Sequence, residues 1–245
     1  MLSHTPLMPS RRKCPRAPGS PSGALPQTIL IPAGTILTRF RGITVPPATP
    51  FAPNSFNPNT GKKRTVVADG ARFNPFPDTA GNNVPTIYAA TTYEAAALES
   101  VFHQVPHIQT PAITRSQVET WEYFDLRTLR DLRVVRLANP QLRQLKVPRR
   151  RESLREDELI HSPASQYPAT RTWAKLLHDQ IPGLDGLAWR PRLAGQGEAY
   201  IFFGDRCGAA DFAVVTAPTP LTSPTEYGKI KAVADAANIT INYSK

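Results

Sequence analysis

Arg39, Arg72, Tyr88, Glu99, Trp189, Arg192 and the Asp205–Arg206 pair are the polar or aromatic side chains that fall near the ends of candidate strands. Two arginines, a tyrosine and a glutamate form a coherent set for one class of ligand. Guanidinium groups bind a diphosphate bidentately and keep their charge. A tyrosine offers a stacking face and a hydroxyl. A carboxylate can hold ribose hydroxyls and support an oxocarbenium-like centre at C1′ while a glycosidic bond breaks. Other chemistries lack their parts. There is no serine nucleophile elbow, no Cys–His pair and no paired-carboxylate motif, and neither a Walker loop nor a G-x-G-x-x-G follows a strand. His103 and His107 are four apart, but Pro106 between them breaks the helix that would align them, so no metal is expected.

The elements that must position these groups mix strands and helices without regular alternation. "TILIPAGTILTRF" reads as extended chain with a turn at Pro32–Gly34, and "PTIYAA" (85–90) as a short apolar strand. "TTYEAAALESVFHQ" follows as a helix, with Thr91 and Glu94 as a capping box and Ala95, Leu98, Val101 and Phe102 on one face. Residues 118–126 and 132–138 read as strands, and 139–160 as short helical pieces. A second amphipathic helix covers 170–183, strands cover 185–189 and 199–205, and a last helix covers 226–238. This succession predicts an α+β fold with largely antiparallel strands.

With 245 residues, one domain is expected over 29–245, preceded by a Pro/Arg-rich tail over 1–28 too poor in apolar residues to offset its ordering entropy. The net charge is +10. Arg11, Arg12, Lys13 and Arg16 lie in a stretch with no acid before Asp69, and a second basic concentration runs from Arg127 to Arg155. Neither is interleaved with aromatic residues in the manner of a base-stacking surface, so the pattern disfavours a nucleic-acid role against a solvated basic face. Cys14 and Cys207 are far apart, which fits a reducing compartment and a cytoplasmic location. No apolar run approaches membrane-spanning length.

Four pieces in order resemble the RES-domain family: "RFNPF" (72–76), "PTIYAATTYEAAALESVFHQVP" (85–106), "YPATRTWAKLLHDQIPGLDGLAWRPR" (167–192) and "AYIFFGDR" (199–206). Upstream, "PAGTILTRFRG" (32–42) is similar to the family's opening strand, with its Leu-x-Arg arginine on Arg39. The resemblance implies an ADP-ribosyltransferase-like split antiparallel β core with flanking helices. It also implies an enzyme of NAD+ glycohydrolase or phosphorylase type, a toxin that depletes NAD+ by cleaving the nicotinamide–ribose bond. NAD+ would be substrate, with no helper cofactor, and a helix-turn-helix antitoxin would be the partner; self-association is left open.

By the same resemblance Arg39 and Arg72 would bind the diphosphate or ribose, Tyr88 would lie against the nicotinamide or its ribose, and Glu99 would be the electrostatic and positioning group. Each has an ordinary alternative: Arg39 paired with a surface acid, Tyr88 as strand core, Glu99 as an exposed helix residue. The chain departs from the family at "WRPR" (189–192), where relatives carry Trp-Arg-Ser-Arg and this chain has Pro191. Proline has neither hydroxyl nor N–H, so either Arg192 or Gln196 supplies the contact, or the role is dispensable, or this member is weakened. Two further readings follow: a catalytically weakened nucleotide-binding or interaction module, and transfer of ADP-ribose to a macromolecule.

Overall fold

The computed structural model describes residues 13–19, 24–43, 52–103, 105, 111–147, 153–192 and 194–243. Among them a nine-stranded sheet forms from β1 (Thr28–Ile31), β2 (Ile36–Gly42), β3 (Thr86–Ala90), β5 (Trp121–Thr128), β6 (Leu132–Arg136), β7 (Gly186–Trp189), β8 (Ala199–Phe203), β9 (Phe212–Val214) and β10 (Thr219–Pro220). A separate parallel pair joins β4 (Ala112–Thr114) to β11 (Thr240–Asn242). The helices are α1 (Tyr93–Glu99), α2 (Arg115–Val118), α3 (Glu156–Leu159), α4 (Tyr167–Gln180) and α5 (Pro224–Ala236). The fold is α+β, as the mixed succession of elements predicts. Its strands are largely antiparallel, as expected, with β6 and β7 the one parallel pair of the large sheet among the described residues.

The sheet is buried on both faces. Along β8, Ala199, Ile201 and Phe203 join the larger core, whereas Tyr200 and Phe202 join a second cluster with Ile87, Phe124 and Phe212. Alternation of side chains across a strand sends each set to its own face, which is why "AYIFF" is apolar throughout. α4 covers the first face with Trp173, Ala174, Leu176 and Leu177. Each large side chain buried there contributes about 1.5–3 kcal/mol of transfer free energy. Pro168 sits in the first turn of α4, where no intrahelical N–H is needed. Gly183, at φ +69°, follows the helix in the left-handed region that a side chain would resist.

The split that matters for function lies between β2 and β3. Seven registered pairs hold β2 to β5 and five hold β3 to β8. A single pair, Thr38–Ala90, joins β2 to β3. The two halves of the sheet therefore part immediately beyond Thr38, at Arg39.

Two local expectations are corrected. α1 is capped by Thr92, not Thr91, through the Ala95 amide. It stops at Glu99, and turns then carry Val101 and Phe102 into the core. Residues 13–19 are also ordered against α4 instead of forming part of a disordered tail. The Trp173 indole donates to the Pro15 carbonyl at 2.7 Å, the Ala17 amide donates to the Thr172 hydroxyl at 2.8 Å, and Cys14 is buried. The proline-rich chain presents a free carbonyl to the helix's indole N–H, so these contacts offset the ordering cost that composition alone would predict. Residues 24–28 are ordered as well, with Leu25 packed against the core and Thr28 opening β1; residues 1–12 and 20–23 lie outside the described residues.

Candidate functional site

Where β2 leaves β3, a cleft of about 640 Å³ opens. Arg39 and Phe40 line one wall, and Thr86, Tyr88, Glu99 and His103 line the other. The volume is that of a pocket for a sizeable small molecule. A second recess of about 430 Å³ shares Thr86, Tyr88 and His103 and continues along the turn at Asp69–Ala71.

Arg72 reaches this region from the turn that precedes β3. The turn is tight: a Cβ at Gly70 would collide with the Asn74 carbonyl oxygen and the Pro75 ring. From its other side α4 holds it. Arg171 donates to the carbonyls of Arg64, Val66, Val67 and Ala71, and Thr170 donates to the carbonyl of Arg72. The Arg72 side chain is buried, with Nη1 3.3 Å from Glu99 Oε2 and its guanidinium 5.7 Å from the Tyr167 ring centre. Its Nε is buried with no hydrogen-bond partner. A buried charged donor left without a partner is costly.

Glu99, the last residue of α1, also lies 3.7 Å from His103 Nδ1, four residues on. His103 Nε2 is hydrogen-bonded to the Tyr167 hydroxyl at 2.9 Å, the two rings stacked. Burial holds His103 below the ordinary histidine range; Glu99 opposes the shift and Arg72 adds to it. The imidazole is thus neutral at pH 7. Tyr88 donates to Asn74 Oδ1 at 2.7 Å and stands edge-on to Trp189. Burial raises its phenol well above the usual tyrosine range, so it stays protonated.

Arg39 is not paired with a carboxylate, contrary to the ordinary alternative. Its Nη1 donates to the carbonyls of Pro53 and Ser55 at 2.7 and 2.8 Å. Burial, with the nearby charge of Arg41, lowers its pKa to about 9. Carbonyl dipoles satisfy the Nη1 hydrogens without neutralising the charge, so the wall it forms attracts anions.

Arg192 and Pro191 border a small recess of about 30 Å³ with Arg72, Glu99, His103 and His161. Pro191 is buried and Arg192 exposed. The proline in the family's serine position therefore stands beside the Arg72–Glu99 pair. The structure brings Arg39, Tyr88 and Glu99 around one cleft and sets Arg72 and Arg192 against its Glu99 wall. Asp205 does not join them: it binds His178 Nε2 at 2.8 Å, a residue of α4 outside the cleft lining.

Four contributors were assigned no role at the cleft from sequence: His103, Tyr167, Asn74 and Asn59. Asn74 and Tyr167 lie within the family-like pieces and His103 is spaced i, i+4 from Glu99, whereas Asn59 left no signal. No cluster of His, Cys, Asp or Glu among the described residues could hold a metal, and no helix among them is long and apolar enough to cross a membrane.

An α+β chain whose sheet parts around a cleft of arginines, a tyrosine and a buried Arg–Glu pair defines a class of nucleotide-handling domain. The RES-domain family profile matches residues 47–224, well over half of the chain, and the protein belongs to that family. Membership places it among NAD-related modules associated with toxin–antitoxin pairs. The match contains Arg72, Tyr88, Glu99 and Arg192, while Arg39 lies just ahead of it. No curated protein and no solved structure matches the chain.

Proposed function

We propose that the protein binds NAD+ in this cleft and cleaves its nicotinamide–ribose bond. The observation that carries the reading is the Arg72–Glu99 pair, 3.3 Å apart, buried at the wall of a cleft whose opposite side holds the uncompensated charge of Arg39. The guanidinium groups suit the diphosphate. Glu99 supplies the negative charge that an oxocarbenium-like ribose needs. As the C1′–N bond breaks, its electron pair leaves on the ring nitrogen and nicotinamide departs neutral. An oxygen of water or phosphate then adds to C1′, and the proton from water passes to solvent. Arg72, 3.3 Å away, holds the Glu99 carboxylate in place while this happens. A helix-turn-helix antitoxin, as in the family's pairs, would be the cognate partner.

Following free nicotinamide from purified protein tests this. Glu99→Ala and Arg72→Ala should each lower turnover by roughly 10²–10³ or more. Undiminished release by both variants, or none from the wild type, removes the reading.

A second reading, a nucleotide-binding module with weakened catalysis, is favoured by one observation: buried Pro191 beside Arg72 and Glu99, where a hydroxyl donor would stand. Pro191→Ser separates the two. On the enzyme reading the wild type already turns over, and the serine raises the rate by about tenfold at most, corresponding to ~1.4 kcal/mol. On the binding reading activity appears only in the variant. Transfer of ADP-ribose to a macromolecule would show as label from NAD+ retained on protein or nucleic acid in a lysate.

A further inference from the structure

The hydroxyl of Tyr88 ends a chain of buried amides whose direction is fixed from its far end. Asn59 is wholly buried, and its Nδ2 lies 2.8 Å from the Val84 carbonyl and 3.1 Å from the Thr86 hydroxyl. A backbone carbonyl can only accept, so the Asn59 amide must turn its nitrogen toward Val84. Its Oδ1 then accepts, at 2.9 Å, from Nδ2 of the buried Asn74. That leaves Asn74 Oδ1 facing Tyr88 at 2.7 Å, and the phenol must donate its one proton there. Asn83 braces the start of the chain by donating to the Asn59 carbonyl.

A phenol has a single proton. Once that proton is committed to Asn74, the oxygen can only accept from anything in the cleft, whose wall Tyr88 forms. We propose that Asn59 and Asn74 are positioning residues that fix Tyr88 as an obligate hydrogen-bond acceptor, so that the cleft selects a ligand presenting an N–H or O–H donor at that point. The inference rests on the NAD+ reading above. Within NAD+ two groups offer such a donor: the carboxamide of nicotinamide and the hydroxyls of its ribose. An analogue carrying a carboxylate instead of the carboxamide would meet acceptor with acceptor. An analogue lacking the 2′-hydroxyl of that ribose would withdraw the ligand's donor and leave the Tyr88 oxygen with only the Phe73 backbone N–H.

The test compares kcat/KM and dissociation constants for NAD+, its nicotinic-acid (deamido) counterpart and 2′-deoxy-ribosyl NAD+. The wild type should disfavour one of the two analogues by at least about tenfold, the scale of one lost hydrogen bond to a committed partner. Which analogue suffers identifies the donor. In Asn74→Leu the phenol is free to rotate and donate, and in Tyr88→Phe the acceptor is gone. Both variants should bring the ratio to within about threefold of unity, while a role confined to structure would lower all three rates together and leave the ratio intact. If Asn74→Leu does not fold, Tyr88→Phe alone decides the acceptor role and Asn74→Asp decides the relay. Protonated between Asn59 and Tyr88, that aspartic acid reproduces both hydrogen bonds and should keep the wild-type ratio. Turnover of NAD+ without discrimination, or discrimination unchanged in Tyr88→Phe and Asn74→Leu, overturns this inference and leaves the cleavage reading standing. Binding of NAD+ without turnover overturns the cleavage reading, and the ratio is then read from the dissociation constants.

Discussion

The turn at residues 64–72 is gripped from two sides by buried arginines that use the same functional group differently. On the α4 side, Arg171 spends its guanidinium on four backbone carbonyls. On the cleft side, Arg72 faces the Glu99 carboxylate and keeps a buried Nε without a partner. Arg171 resembles a helix-borne clamp, complete within the fold. Arg72 is not satisfied within the fold as Arg171 is, which suits the ligand-binding role proposed for it. Two arginines alike in burial therefore differ in their partner sets.

Removing each arginine should break the protein in a different way. Arg171→Met deletes four hydrogen bonds and strands several carbonyls in a buried place, at a cost of about 3 kcal/mol or more. The denaturation midpoint should fall accordingly, and activity should fall with it because the turn that carries Arg72 loosens. Arg72→Ala should affect nicotinamide release far more than the midpoint. Equal stability losses from the two variants, with activity tracking stability in both, would remove the distinction.

The same contrast explains what the sequence could reveal. Strands such as "AYIFF" and "PTIYAA" carry their own apolar signature, and helix α4 announces itself by the spacing of Trp173, Leu176 and Leu177. Arg72 and Glu99 stood out because short motifs of a family surround them. Asn74 and Tyr167 lie within the same family-like pieces but carry no chemistry that marks them out, and Asn59 lies outside those pieces. They enter the site through hydrogen bonds between distant segments, and an asparagine in a Pro/Asn-rich stretch looks like turn punctuation. The ordered strap at residues 13–19 was hidden for a related reason. Its stability comes from partners on α4, not from any periodicity of its own.

Arg39 tests the comparison from the opposite wall of the cleft. It shares features of both arginines: one nitrogen is bound to the carbonyls of Pro53 and Ser55, yet the side chain also lines the cleft with its charge unneutralised. Arg39→Gln keeps a donor for a carbonyl but loses the charge. KM for NAD+ should rise about tenfold, equivalent to ~1.4 kcal/mol, with kcat little changed, the pattern expected when ground state and transition state lose the same contact. A fall in kcat with KM unchanged would instead move Arg39 into the chemical step.

The smallest expected effect concerns pH and the neutral imidazole that stands between Glu99 and Tyr167. Burial depresses the pKa of His103 in the folded state, with Arg72 adding to the shift and Glu99 opposing it. The unfolded chain, titrating near 6.5, therefore binds more protons as pH drops below that value. Stability must rise with pH across the window between the folded pKa and 6.5, and must be lost as pH falls through it. The slope from one histidine is at most about 1.4 kcal/mol per pH unit. His103→Gln retains a group that can accept from the Tyr167 hydroxyl and removes the titration. Denaturation midpoints measured from pH 5 to 7.5 should therefore fall less steeply on the acid side for His103→Gln than for the wild type. Parallel curves would mean that the imidazole is already free to take a proton in the folded protein, and that the wall formed by Glu99 and Arg72 is wetter than its geometry indicates.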